Sequence, residues 1–150
     1  MQGIFVANEN PKASASLPDL AQPGLRFVNC QQGSGTRVLR DFLLENLGLA
    51  GASIAGDDSA EFNHAAVAAH VASGMADAGF GVETAARRFN LKFIPVIGEQ
   101  YFFACSVRSL ATPMVAAAQS VMQSAGFKAT LAALPGYDSA MCGAQVKMAF

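Results

Sequence analysis

A β-rich run from Leu25 to Asn29 leads through Gln32-Gly33-Ser34-Gly35-Thr36-Arg37 into a segment of helical periodicity. This order constrains the fold more than any other feature of the chain. Val38, Leu39, Phe42, Leu43 and Leu47 recur at helical spacing, and Gly48 follows where a left-handed cap belongs. A strand, a tight glycine turn and a helix form half of a βαβ unit. The rest of the chain up to about residue 107 repeats that alternation. Gly3 to Ala7, Ala76 to Gly81, Phe93 to Ile97 and Tyr101 to Val107 read as strands. Pro18 opens a short helical turn. Asp58 and Glu61 have the spacing of a capping box for a helix running to about Ser73, which Gly74 stops. A short helix spans Glu83 to Phe89. Strands alternating with helices predict an α/β fold with a mostly parallel sheet flanked by helices.

Beyond residue 107 the pattern turns helical. Thr112-Pro113 has the form of a cap followed by a first-turn proline, and Met114, Val115, Ala118, Val121, Met122 and Ala125 make a stripe that Gly126 ends. A last helix is expected over Lys128 to Leu134. The division expected is therefore 1–106, an α/β lobe, and 107–150, a helical part.

The Gly-Ser-Gly turn is also the chemically sharpest stretch. The start of a helix presents backbone N–H groups that lack partners and carries a partial positive charge. Gly33 and Gly35 let a ligand approach the backbone, Ser34 and Thr36 add hydroxyls, and Arg37 adds a planar cation. Together these residues suit a small anion. The plain alternative is a tight turn with a serine cap and a solvated arginine. Other loops of this kind fit less well. A dinucleotide fingerprint needs glycine where Val38 stands, a P-loop needs Gly-Lys-Ser/Thr, and a nucleophile elbow needs glycine at Gln32.

Arg26 to Arg37 and Glu61 to Gly81 resemble the PBP-like domain of bacterial helix-turn-helix regulators and molybdopterin-biosynthesis proteins. Asn10-Pro11, Asp19-Leu20-Ala21 and Leu134-Pro135-Gly136-Tyr137-Asp138 extend the likeness over nearly the whole chain. The resemblance implies a type II periplasmic-binding-protein-like lobe, with C-terminal helices from an incomplete second lobe. It also implies handling of molybdate, tungstate or an anionic cofactor fragment in a sensor or transcription regulator. By that resemblance Gly33, Ser34, Gly35, Thr36 and Arg37 wall the ligand cleft. His64 lies near the start of the next helix, Gly79 and Gly81 line the floor, and Tyr101 lies near the return crossing between lobes. Two positions depart from the family: Cys30 stands where arginine is usual, and Gln32 where a basic residue is frequent. Asn63, in place of threonine, keeps a polar cap before His64.

Family members carry about ninety further residues ahead of this region, within ordinary domain sizes. The apolar stripes after Val107 therefore need cover from elsewhere, and a homodimer is expected, with exchanged C-terminal helices as one form. Charge narrows the partners further. Lys and Arg total 10 against 11 Asp and Glu, with no basic run, so direct nucleic-acid binding is not expected. No window is apolar enough to span a membrane, and the start MQGIFVANENPK lacks a secretory pattern, so a cytoplasmic location is expected. Cys30, Cys105 and Cys142 make neither a disulfide framework nor a zinc cluster. His64 and His70 do not share a helix face. No catalytic residue, metal or cofactor is expected, and the chain reads as a binding module with no enzymatic activity. Two rivals stand beside that reading: a dimeric interaction protein with a vestigial anion site, and an enzyme using Cys30 with His64 within hydrogen-bond reach.

Overall fold

A computed structural model describes residues 1–146 of the chain. Two compact units divide it, Met1–Glu99 and Gln100–Phe150. The boundary falls seven residues ahead of the one read from the sequence.

The first unit is an α/β sandwich. Its strands are β1 (Gln2–Val6), β2 (Phe27–Cys30), β3 (Ala60–Glu61), β4 (Ala78–Val82) and β5 (Lys92–Ile97). They lie in the order β3-β2-β4-β1-β5. β2 pairs in parallel with β3 and with β4, whereas β1 is antiparallel to both β4 and β5. Four strands thus share one direction and β1 alone opposes them, so the sheet is mostly parallel, as the alternation of elements predicts.

β1 is buried along its whole length, with a neighbour on either edge. Its side chains alternate between faces. Phe5 joins Val28, Cys30, Val67, Val71 and Phe93 on the face covered by α2 (His64–Ala72) and α3 (Glu83–Arg88). Ile4 and Val6 join Leu20, Leu25, Phe27, Leu44 and Phe80 on the opposite face, which α1 (Gly35–Asn46) and the turn at Pro18–Ala21 cover. Such a two-sided core explains why the strands read as continuous apolar runs. Gly3 is required sterically, because a Cβ there would run into the carbonyl oxygen of Ile94.

Three expectations change here. The apolar stripe of α1 faces the sheet only in part: Val38, Phe42 and Leu47 are more than half exposed, while Leu43 packs at the edge of the core. The buried line is Thr36, Arg40 and Leu44. Arg40 sets this rotation. Its guanidinium binds Asp57 Oδ1 at 2.6 Å, contacts Asp41, and lies with Cζ 5.3 Å from the Phe27 ring centroid. Those contacts offset the burial of the charge. The capping box at Asp58 and Glu61 is not formed. Ser59 and Glu61 accept backbone bonds from Asn29 and Gln31 beside β2, and the cap of α2 is Asn63, whose Oδ1 accepts the Ala66 N–H at 2.9 Å. The strand expected over Tyr101 to Val107 is absent as well. β propensity is expressed only against a neighbouring strand, and the sheet of the first unit ends at β5.

The second unit holds α4 (Val107–Leu110), α5 (Pro113–Gln123) and α6 (Ala125–Ala132). Gly126 lies inside α6 and does not end α5. Ser124 ends that helix, and its hydroxyl then caps α6 by accepting the Phe127 N–H. Gln119 and Gln123 each donate to the carbonyl of Gly143 at 3.0 Å, which ties the segment after Pro135 to α5. No described residue of this unit is buried, and Met114 and Val121 of the predicted stripe are 81% and 58% exposed.

Candidate functional site

From β2 the chain passes through α1 to β3 on one side, then through α2 to β4 on the other. In α/β sheets such a reversal opens a crevice at the carboxyl ends of the strands. Here those ends carry the Gly-Ser-Gly turn and the first residue of α2.

Gly33 adopts φ +83°, a left-handed conformation that suits glycine and turns the chain off β2. Ser34 is the N-cap, with Oγ accepting the Arg37 N–H at 3.2 Å while its own hydroxyl proton stays available. The amides of Gly35 and Thr36 point out of the first turn, as helix geometry dictates. A Cβ added at Gly33 or Gly35 would meet nothing within 4 Å, so the backbone is open at both positions.

Behind the turn runs a chain of polar contacts. Gln2, at the start of β1 and 1% exposed, donates from Nε2 to Thr36 Oγ1 at 3.1 Å and to Glu99 Oε2 at 2.7 Å. Thr36 Oγ1 lies 3.5 Å from His64 Nε2, and His64 Nδ1 lies 3.9 Å from Cys30 Sγ. Gly81 makes room for this imidazole, since a Cβ there would sit 2.6 Å from His64 Nδ1. Gly79 does different work. A Cβ there would be 2.6 Å from Val67 Cγ1, so it lets α2 pack closely on β4.

Burial sets the protonation of the pair. It lowers the His64 pKa, opposed by the charge of Glu99, and it pushes the Cys30 thiol up to about 11, opposed by Arg40. A nucleophilic cysteine needs the opposite shift. The two side chains meet, but as a neutral thiol beside a half-buried imidazole.

Arg37 is already engaged. Its Nη2 lies 3.1 Å from Asp57 Oδ2 and its Nε 3.8 Å from Asp41 Oδ2. Asp57 therefore sits between Arg37 and Arg40, and Asn29 Nδ2 adds a bond to its Oδ1 at 3.1 Å. Positive potential at the turn comes chiefly from the end of α1, with Arg37 compensated by these carboxylates. His70 lies apart, 3.1 Å from Glu61 Oε1. Tyr101 belongs to the second unit and is 72% exposed. Among the described residues no group of His, Cys, Asp and Glu has the arrangement of a metal site. An apolar hollow of about 390 Å³ lies at the far end of α1, between Leu17, Leu47, Pro95 and Val96, and offers little for a polar ligand to bind.

The sequence reading brought Gly33 to Thr36, His64 and Gly81 to one place and missed Gln2 and Glu99. Gln2 left one signal, a polar residue opening an otherwise apolar strand. Glu99 left none.

A family model described as a PBP superfamily domain matches residues 1–123. The uncharacterized protein YvgK of Bacillus subtilis (strain 168) is 36% identical over 141 residues, which are 94% of this chain and 45% of that protein. The chain thus spans just under half the length of that relative. An uncharacterized protein encoded in the 5′ region of a 2Fe-2S ferredoxin gene of Clostridium pasteurianum is 33% identical over 107 residues, which are 71% of this chain and 95% of that one. Among solved structures, the ancestral amino acid-binding protein AncCDT-1, a precursor of cyclohexadienyl dehydratase, aligns with TM-score 0.40 at 21% identity. That alignment covers 63% of this chain and 39% of the other.

Proposed function

The chain belongs to the PBP superfamily domain family, and from that premise we propose that it is a ligand-binding module that holds a small oxyanion at the start of α1. One observation carries the reading: the first turn of α1 is open at Gly33 and Gly35, and it is backed by a hydroxyl and an imidazole at the switch point of the sheet. A helix N-terminus binds anions through oriented N–H groups at little reorganisation cost. The reading involves no bond making: Cys30, beside His64, is kept as a thiol by burial, which pushes its pKa up to about 11. In a sensor or regulator, such a lobe would report its ligand by favouring one conformation.

Calorimetric titration with phosphate, sulfate, molybdate and tungstate tests this reading. Gly35→Ala is the informative variant, since the new methyl has no neighbour within 4 Å and narrows the open backbone of the first turn. Saturable binding that drops at least tenfold in Gly35→Ala supports the proposal. Equal binding in both proteins removes the helix start from it.

A second reading is an interaction module whose anion turn is vestigial. It is favoured by the pairing of Arg37 and Arg40 with Asp57, and by a C-terminal unit with no buried side chain among its described residues. In either reading the stripe of α5 is covered by a second copy of the chain. Sedimentation should then show a dimer that Val121→Asp dissociates.

A further inference from the structure

His64 closes over Cys30 at a point where a positive charge has little support. It is the first residue of α2, and its Nε2 lies 3.5 Å from Thr36 Oγ1 in the first turn of α1. Both helix starts carry partial positive charge, so both favour a neutral ring over an imidazolium. The other edge of the ring is confined. Nδ1 lies 3.9 Å from Cys30 Sγ, and a Cβ at Gly81 would stand 2.6 Å from it. Cys30 is 4% exposed, whereas His64 is half-buried, so the ring is the outer of the two. Glu99 is the carboxylate that acts on His64, and it is exposed. The charges on the surrounding elements are paired with one another. Arg37 and Arg40 of α1 are held by Asp57, Glu61 at the end of β3 by His70, and Glu83 at the start of α3 by Arg87. The Met1 amine ahead of β1 adds a cation.

We propose that His64 is an acid-operated latch over Cys30. The neutral ring covers the thiol. On taking a second ring proton from solvent, the ring leaves Thr36 and Cys30 for water and the Glu99 carboxylate, and Cys30 becomes accessible. Burial lowers the His64 pKa in the closed position, so the open position takes the proton more readily. Opening is therefore favoured as pH falls below the ordinary histidine value of about 6.5, by up to about tenfold per pH unit. The latch stands on the contact between Cys30 and His64 and needs no ligand at α1.

Thiol labelling reads the latch. In the full chain carrying Cys105→Ser and Cys142→Ser, Cys30 is the one thiol left. Its rate with a pyridyl disulfide, a reagent that attacks thiols in acid as well as at neutral pH, is divided by that of free cysteine at the same pH. Between pH 7 and pH 5 the corrected rate should rise by about fivefold or more while circular dichroism stays native. In His64→Gln the rise should vanish. Glu99 is exposed, so Glu99→Gln should fold even if His64→Gln does not, and there the rise should move to lower pH because the imidazolium loses its carboxylate. A corrected rate that is flat or falls in folded protein overturns the latch. So does an equal rise in His64→Gln, or a rise that appears only where the chain unfolds. A rise that Glu99→Gln leaves at the same pH overturns the part given to Glu99.

Discussion

Asp57→Ala should destabilise the first unit strongly, because this one carboxylate holds two arginines. Arg40 is 1% exposed and binds Asp57 Oδ1 at 2.6 Å, and Arg37 binds Oδ2 at 3.1 Å. Removing one partner of a buried ion pair costs about 3–5 kcal/mol, since the other charge stays buried. Arg40 keeps Asp41 and the Phe27 ring, and that carboxylate is half exposed, so the loss should sit nearer the lower end, about 2–4 kcal/mol. At about 4–8 °C per kcal/mol for a domain of this size, melting falls by roughly 8–32 °C. Arg40→Met should cost less, since Asp57 retains Arg37 and Asn29 and the new side chain is apolar. The double variant should then be more stable than Asp57→Ala alone, because the buried charge has gone with its partner. Urea unfolding of the four proteins closes the cycle. A loss below about 1 kcal/mol in Asp57→Ala, or additive losses in the double variant, would refute the argument that Asp57 neutralises Arg40 and sets the rotation of α1.

Other consequences follow from the same geometry. Gly81→Ala places a methyl 2.6 Å from His64 Nδ1 and 2.9 Å from Phe5 Cζ, and overpacking of this kind costs about 1–3 kcal/mol. It should also weaken anion binding by displacing the imidazole, whereas an unchanged affinity would take His64 out of the site. Burial lowers the His64 pKa below 6.5, so the unfolded chain binds more protons just below that pH. The resulting stability is fully present above pH 6.5 and is lost as pH falls through the folded value; His64→Gln should flatten that limb of a pH-stability curve. Cys30, with its thiol pushed up to about 11, should resist iodoacetamide at pH 8 while exposed Cys105 reacts. Rapid labelling of Cys30 in folded protein would instead revive a cysteine-based reaction.

What the sequence makes legible is what local chemistry sets. Glycine and proline mark the ends of β2, α1, α2 and the Pro18 turn, and the alternation of elements gave the layered fold. Local pattern could not say which face of α1 is buried, because Arg40 and Asp57 meet only after the chain has turned back on itself through Gly51–Ser53. Counting apolar residues alone favoured the face of Val38 and Phe42, which the ionic contacts turn outward. Glu61 similarly has the spacing of a cap yet is drawn into β3 by backbone pairing with β2. The site was half visible for the same reason. The turn is contiguous in sequence, whereas Gln2 and Glu99 lie at nearly opposite ends of the first unit and meet only through β1 and β5.

The central claim is that an anion sits on the first turn of α1, and amide chemical shifts read that position directly. Phosphate titrated into ¹⁵N-labelled protein should move the Gly35 and Thr36 amide resonances along one saturable curve, with His64 following. Saturable shifts confined to other parts of the chain, or no shifts at all in folded protein, would contradict it.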